Sequence, residues 1–196
     1  CIGFPLPTST GTFGLSWSYF GYSRYHENKV GLALGRAFHD RIAVGLQIDY
    51  LNTFIDEEVR SSGTVAIEAG IMAEPLDNLL IGFHVFNPTA SRLRKMKEER
   101  IPVIMRLGLG YNFNDRLFLG AETEKDLDIA RAIYKAGVEY RLIEYIYLRI
   151  GLGVQEYVQH SFGLGFNLRS FQADVAFSYQ QIVGYTPYLS FRYVFR

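Results

Sequence analysis

The chain has 196 residues, with 20 basic against 20 acidic side chains, 48% apolar residues and 19 glycines. The balanced charge excludes a generic binder of nucleic acid or anionic surfaces, which needs a positive excess, and the apolar and aromatic content excludes a disordered chain. One cysteine, Cys1, excludes an internal disulfide framework and a multi-cysteine zinc site.

No stretch reads as a transmembrane helix. The longest segments free of Asp, Glu, Lys, Arg and His, 1–23 and 175–191, are interrupted by Ser, Thr, Gln, Gly and Pro. The chain opens without Met, so it is a processed mature chain or a fragment. Ile-Gly-Phe-Pro follows Cys1 with no polar tether, which favours a fragment boundary over a lipidated N-terminus.

From there on the hydrophobic period is two. About twelve strands are expected in chain order, near 12–21, 29–38, 42–54, 63–73, 79–86, 102–113, 117–124, 132–142, 146–155, 161–169, 171–179 and 187–195. In the third, Ile42, Val44, Leu46, Ile48 and Tyr50 oppose Ala43, Gly45, Gln47 and Asp49. In the sixth, Met105, Leu107, Leu109 and Tyr111 oppose Arg106, Gly108, Gly110 and Asn112. The ninth alternates strictly, with Ile146, Leu148, Ile150, Leu152 and Val154 against Tyr147, Arg149, Gly151 and Gly153. Such alternation means a strand with unlike faces; a helix would scatter these sets around its circumference. The one helix-like stretch, 91–100, reads as a solvated charged loop.

Short connections, near 39–41, 74–78, 114–116, 143–145 and 169–170, alternate with mostly longer ones near 22–28, 55–62, 87–101, 125–131, 156–160 and 180–186. An up-and-down meander whose two ends face different surroundings has this pattern. Outer-membrane barrels place short turns on the periplasmic side and longer loops outside. Both termini then fall on the short-turn side. The fold class expected is therefore all-β, an antiparallel up-and-down transmembrane β-barrel, with residues 1–196 as one domain.

Three features favour a membrane barrel over the competing soluble sandwich or lipocalin-like barrel. The polar face is crowded with glycine, including Gly31, Gly45, Gly110, Gly151, Gly163 and Gly165, which suits a confined interior. Fifteen of the 20 basic residues are Arg, which pairs through planar, multidentate hydrogen bonds. Aromatics recur toward strand ends on the apolar face, at Trp17, Tyr19, Tyr50, Tyr111, Tyr140, Tyr179 and Tyr193, as interfacial girdles require. The polar face then supplies the candidate lumen residues. The acidic ones are Asp49, Glu68, Glu122, Glu139 and Asp174, and the basic ones are Arg106, Lys135, Arg141, Arg149, Arg169 and Arg192, with His84 beside them. Mixed signs suggest a braced, ion-paired interior, whereas an ion-selective pore would carry a ring of one sign.

Asn87-Pro88, a charged loop, Ile101-Pro102 and Arg106-Leu-Gly-Leu-Gly-Tyr111 together resemble the PorV/PorQ-like outer-membrane proteins of Bacteroidetes. So do Glu122-Thr-Glu-Lys-Asp-Leu-Asp128, Ala136-Gly-Val-Glu-Tyr-Arg141, Leu148-Arg-Ile-Gly151, Ser161-Phe-Gly-Leu-Gly-Phe166, 171–179 and Gly184-Tyr-Thr-Pro187. These proteins belong to the wider FadL-like group. The resemblance runs from about Gly11 onward. It implies a 14-stranded barrel in the outer membrane of a Gram-negative bacterium, of which this chain lacks an N-terminal segment with an Asn-Pro-Ala-type motif and two strands. The roles it implies range from hydrophobic-solute uptake to service in type IX secretion or other envelope complexes. No transport residue carries over.

Enzymatic readings are weak. His26, His39 and His160 fall in expected loops or turns, and His84 on a polar strand face suggests a lumen hydrogen bond. The Gly-x-Gly pairs precede no helix N-terminus and hold no phosphate. Glu122, Glu124, Asp126 and Asp128 alternate near a loop, but Lys125 and Arg131 lie close enough to neutralise a Ca²⁺ site there. The expectation is a non-enzymatic barrel with no cofactor and no metal. Its partners would be outer-membrane lipids and other envelope proteins, met through loops such as 91–100, with no nucleic acid. An accessory or scaffold role comes first and a FadL-like channel for hydrophobic or small solutes is the alternative.

Overall fold

In a computed structural model of the chain, the described residues are 1–22, 25–55, 60–91 and 101–194. They form one antiparallel sheet of 13 strands, each paired to its neighbours in chain order. The strands are β1 (Ile2–Thr8), β2 (Gly11–Tyr22), β3 (Tyr25–Phe38), β4 (Ile42–Ile55), β5 (Arg60–Leu76) and β6 (Leu79–Phe86). They continue as β7 (Ile104–Asn114), β8 (Leu117–Asp126), β9 (Ile133–Ile143), β10 (Ile146–Val154), β11 (Val158–Leu168), β12 (Phe171–Gln180) and β13 (Gly184–Tyr193). A single 3-10 turn, His39–Arg41, links β3 to β4.

Packing divides the chain into two compact units. One holds Cys1–Ala73, Gly82–Arg106 and Asp126–Ala130; the other holds Glu74–Ile81, Leu107–Lys125 and Arg131–Arg196.

The strand count exceeds the expected twelve because Ile2–Thr8 is a strand. Pro5 and Pro7 conceal it, since proline cannot donate to a ladder. Two residues apart, their missing N–H groups fall on the same side of the strand, and the pairing with β2 still runs from Ile2 to Thr8. Ile2 is level with Trp17, far from the Thr8–Gly11 turn, so only the C-terminal strand ends on the short-turn side.

Two expected connections contract. The pairing of β2 with β3 runs out to Tyr22 opposite Tyr25, so the polar run Tyr25-His-Glu-Asn28 is strand and not loop. His26 is stacked between Tyr19 and Phe54, at centroid distances of 5.7 and 4.9 Å, and that aromatic packing offsets the polar composition. His160 likewise lies in a strand, opposite Tyr179. At the other end, β5 continues through Pro75 to Leu76, because Ala73 is its last residue paired with β4. Beyond it a missing N–H breaks no bond to β4. The turn is then only Asp77-Asn78, with Asn78 in the left-handed region at φ 70°. The helix-like reading of 91–100 falls, from 92 onward, outside the described residues.

Polarity is inverted relative to a water-soluble protein. Among the described residues the only buried apolar side chain is Ala66, and the largest fully buried side chains are Asn87, Asp49 and Ser62. Along β4, Leu46, Ile48 and Tyr50 are 57, 58 and 52% exposed, while Asp49 between them is 0% exposed. The same alternation runs through Phe162, Leu164 and Phe166 of β11, all exposed, against buried Gly165. Water would penalise so continuous an apolar face; hydrocarbon requires it.

Ile48 sits near the middle of β4 on that apolar face. Ile48→Arg should therefore destabilise the folded, membrane-inserted state by about 2–4 kcal/mol. Urea titration in lipid vesicles measures this, and a cost within error of zero would contradict the assignment of faces.

Candidate functional site

The register aligns the polar side chains of the first unit in rows. Gly14, Ala33, Gln47 and Glu68 share one row, and Ser16, Gly31, Asp49 and Ala66 the next. Toward the far ends of these strands follow Ser18, Lys29, Leu51 and Thr64, then Phe20, Glu27, Thr53 and Ser62.

Lys29 is the centre of the first charged cluster. Its ammonium bonds Glu68 Oε1 and lies 3.3 Å from Asp49 Oδ2. His84 Nε2 is 2.9 Å from Glu68 Oε2, and Gln47 Nε2 donates to Asp49 Oδ1 at 2.7 Å. Four strands, β3 to β6, are thereby joined by side chains across the ladder. Room for this comes from Gly31, where a Cβ would stand 2.5 Å from Asp49 Oδ1 and 2.6 Å from both Gln47 Nε2 and Ser16 Oγ. The glycine is a hollow for its neighbours' polar groups.

Above this cluster the same face opens into a cavity of about 440 Å³. Its apolar walls are Phe20, Leu51, Phe86, Ile101 and Pro102, with Ser18, Glu27 and Thr53 among the polar groups. Lys29 Nζ sits 5.0 Å from the Phe86 ring centroid at its edge. The Ile101 wall is pinned by Asn87, which is fully buried at φ 52°. Asn87 Nδ2 donates to Ile101 O at 2.9 Å, and its Oδ1 accepts from Ser91 N at 3.0 Å and Thr89 Oγ1 at 3.2 Å. Its own N–H donates to Ile67 O at 2.7 Å. One residue thus ties both described ends of the 87–103 connection to β5.

The second unit repeats the device with arginine. Glu139 and Arg149 are directly opposed on β9 and β10, and Arg149 Nε donates to Glu139 Oε2 at 2.5 Å. The guanidinium then crosses β11 to reach Asp174 Oδ1 on β12, also at 2.5 Å. It passes over Gly163 and Gly165; a Cβ at Gly165 would lie 2.7 Å from Asp174 Oδ1 and 3.1 Å from Arg149 Nη1 and Nη2. Gln172 Nε2 completes the group by donating to Asp174 Oδ2 at 3.0 Å. On β8 and β9, Lys135 Nζ donates to Glu122 Oε1 at 3.0 Å and to Glu124 Oε2 at 2.9 Å. Lys135 thus neutralises two carboxylates of this acidic run; Arg131 pairs with Glu156 at 3.4 Å, and Asp126 Oδ1 accepts from Asp128 N.

The remaining candidates stand apart from these clusters. Arg141 is opposite Tyr147, Arg192 is exposed opposite Gln172, and Arg106 shares the Gly108 and Gly110 face of β7, where it is engaged. Arg169 lies outside the strand, exposed in the β11–β12 turn at φ 45°. Sequence reasoning missed Lys29, although it shares the parity of Gly31 and Asp49's row neighbours; placing the strand start at 29 left it at an edge. It placed Glu124 only in the acidic run and Gln47 only on the polar face, without their partners, and missed Gln172 and the structural role of Asn87.

No protein-family model matches the sequence, and no curated protein matches it. In fold the chain is similar to a Pseudomonas aeruginosa FadL homologue, with a TM-score of 0.65 at 14% identity over 91% of this chain and 68% of that one. It is similar to the Pseudomonas putida toluene transporter TodX, with a TM-score of 0.67 at 10% identity over 90% and 75%. The KdgM porin aligns with a TM-score of 0.57 at 12% identity over 92% and 99%. The fold is that of an antiparallel up-and-down β-barrel, as in these outer-membrane proteins. In an up-and-down barrel of this kind the apolar face meets lipid and the polar face is the interior.

The Arg149 bridge predicts non-additive energetics. Arg149→Leu strands two carboxylates and should cost about 1–3 kcal/mol, since the group is partly solvated. Gly165→Ala should cost a similar amount in the native background, through crowding. In the Arg149→Leu background the Gly165→Ala cost should fall by at least half. A double-mutant cycle by urea unfolding in vesicles measures this, and simple additivity would show that the glycine does not serve the arginine.

Proposed function

We propose that this barrel resides in the outer membrane of a Gram-negative bacterium and passes hydrophobic or small solutes without catalysing a reaction. The observation that carries this reading is the cavity on the interior face, where the apolar walls of Phe20, Leu51, Phe86, Ile101 and Pro102 stand beside polar Ser18, Asn28, Asn52 and Thr53. A concave site that sets apolar walls beside a set of polar groups suits a small solute with an apolar body. The likeness in fold to a toluene transporter and a FadL homologue supports the same reading. A narrower place among PorV/PorQ-like proteins of Bacteroidetes is supported by the sequence motifs between Asn87 and Pro187. The scaffold reading drew on the charged segment 91–100, nearly all of which lies outside the described residues, and no described contact favours it.

Deletion of the gene should slow the entry of toluene and of other small uncharged hydrophobic solutes into intact cells. Restoring the wild-type chain should recover entry. Thr53→Trp, which fills the cavity from β4, should recover less than about a third of it while inserting normally. Unchanged uptake of every such solute in the deletion strain would refute the conduit reading.

A further inference from the structure

We infer that the Phe20–Leu51–Phe86 cavity accepts uncharged amphipathic solutes and rejects carboxylates; this rests on the conduit reading and names its solute class. Lys29 is the only cation lining the cavity among the described residues. A lysine at the edge of an apolar cavity would ordinarily suggest capture of an acid headgroup. Here the ammonium is already committed. It bonds Glu68, lies 3.3 Å from Asp49 and sits over the Phe86 ring, so its charge is met by two carboxylates and an aromatic face before any solute arrives.

The surrounding charge points the same way. Glu27 is itself a lining residue, bonded to the Tyr25 hydroxyl. Among the described residues, Glu27, Asp49 and Glu68 therefore stand against the one cation Lys29. Protonation of His84, or one proton shared by Asp49 and Glu68, would leave the sum negative. A solute carboxylate would enter a site of its own sign and would have to displace Asp49 or Glu68, the first of which is fully buried. A hydroxyl or carbonyl meets no such opposition, since Ser18 and Thr53 share the lining with the apolar walls.

The test is equilibrium dialysis of the intact protein in nanodiscs, at neutral pH, against benzyl alcohol and benzoate, with empty nanodiscs subtracted. Benzyl alcohol should bind at least about tenfold more tightly than benzoate. Freeing the ammonium in D49N/E68Q should raise the benzoate-to-alcohol affinity ratio by at least about tenfold. If that variant does not insert, K29M decides, since it should not lower the ratio. Wild-type protein that binds benzoate as well as the alcohol, or a K29M variant that selectively loses benzoate, overturns the proposal while leaving the conduit reading intact. Binding of neither probe, with no cavity-dependent uptake of apolar solutes, overturns both.

Discussion

A strand that crosses hydrocarbon must pair its backbone N–H and C=O groups with other strands, because no water is present to do it. Everything else in this chain follows from that requirement. The ladder runs through 13 consecutive strands, and the period of two then forces each strand to divide its side chains between lipid and interior. Leu46, Ile48 and Tyr50 can be exposed only because their surroundings are apolar; Asp49 can be buried only because Lys29 and Gln47 meet it. Short two-residue turns such as Asp77-Asn78 hold the register, since a slip of one residue would present Asp49 to lipid and Ile48 to the charged cluster.

The interior glycines have a more specific role than small size. At Gly31 and Gly165 the absent side chain leaves a trough across a strand, into which a neighbour's charged group fits. Arg149 needs such a trough to join Glu139 and Asp174 on strands that do not pair with each other. Phe118 uses the same kind of space, its ring lying where a Cβ on Gly110 would come within 2.8 Å. At Gly31 and Gly165 a missing side chain and the charged groups beside it are therefore two halves of one arrangement, in which polar side chains join strands across the space left open. The Lys29 cluster does this in the first unit and the Arg149 cluster in the second.

The architecture was legible because alternation is a local property. Nine residues suffice to show that Ile146 to Val154 is a strand with unlike faces, and the structure places β10 over those residues. What was not legible depended on neighbours far away in sequence. Tyr25 to Asn28 reads as a polar loop until Tyr19 and Phe54 are seen to clasp His26. The strand at Ile2–Thr8 is hidden by Pro5 and Pro7 until its pairing with β2 is seen. Lys29 could be placed on the polar face by parity, but nothing in the sequence indicates that two carboxylates, 20 or more residues downstream, converge on it. Asn87 stood out as part of a motif with Pro88; its function as a clamp on Ile101 and Ile67 required the fold. Position on a face is thus read from one strand, and pairing within a face is read only from several.

The inverted polarity can be measured directly along β4. In a protein whose Cys1 is replaced by Ser, nitroxide labels placed singly at Val44, Gly45, Leu46, Gln47 and Ile48 report collisions with oxygen dissolved in lipid and with a water-soluble nickel chelate. The account predicts that labels at 44, 46 and 48 are relaxed mainly by oxygen and those at 45 and 47 are shielded from it, with a period of two. Labels that show no alternation, or that find water at 44, 46 and 48, would contradict it and return the chain to the water-soluble β proteins.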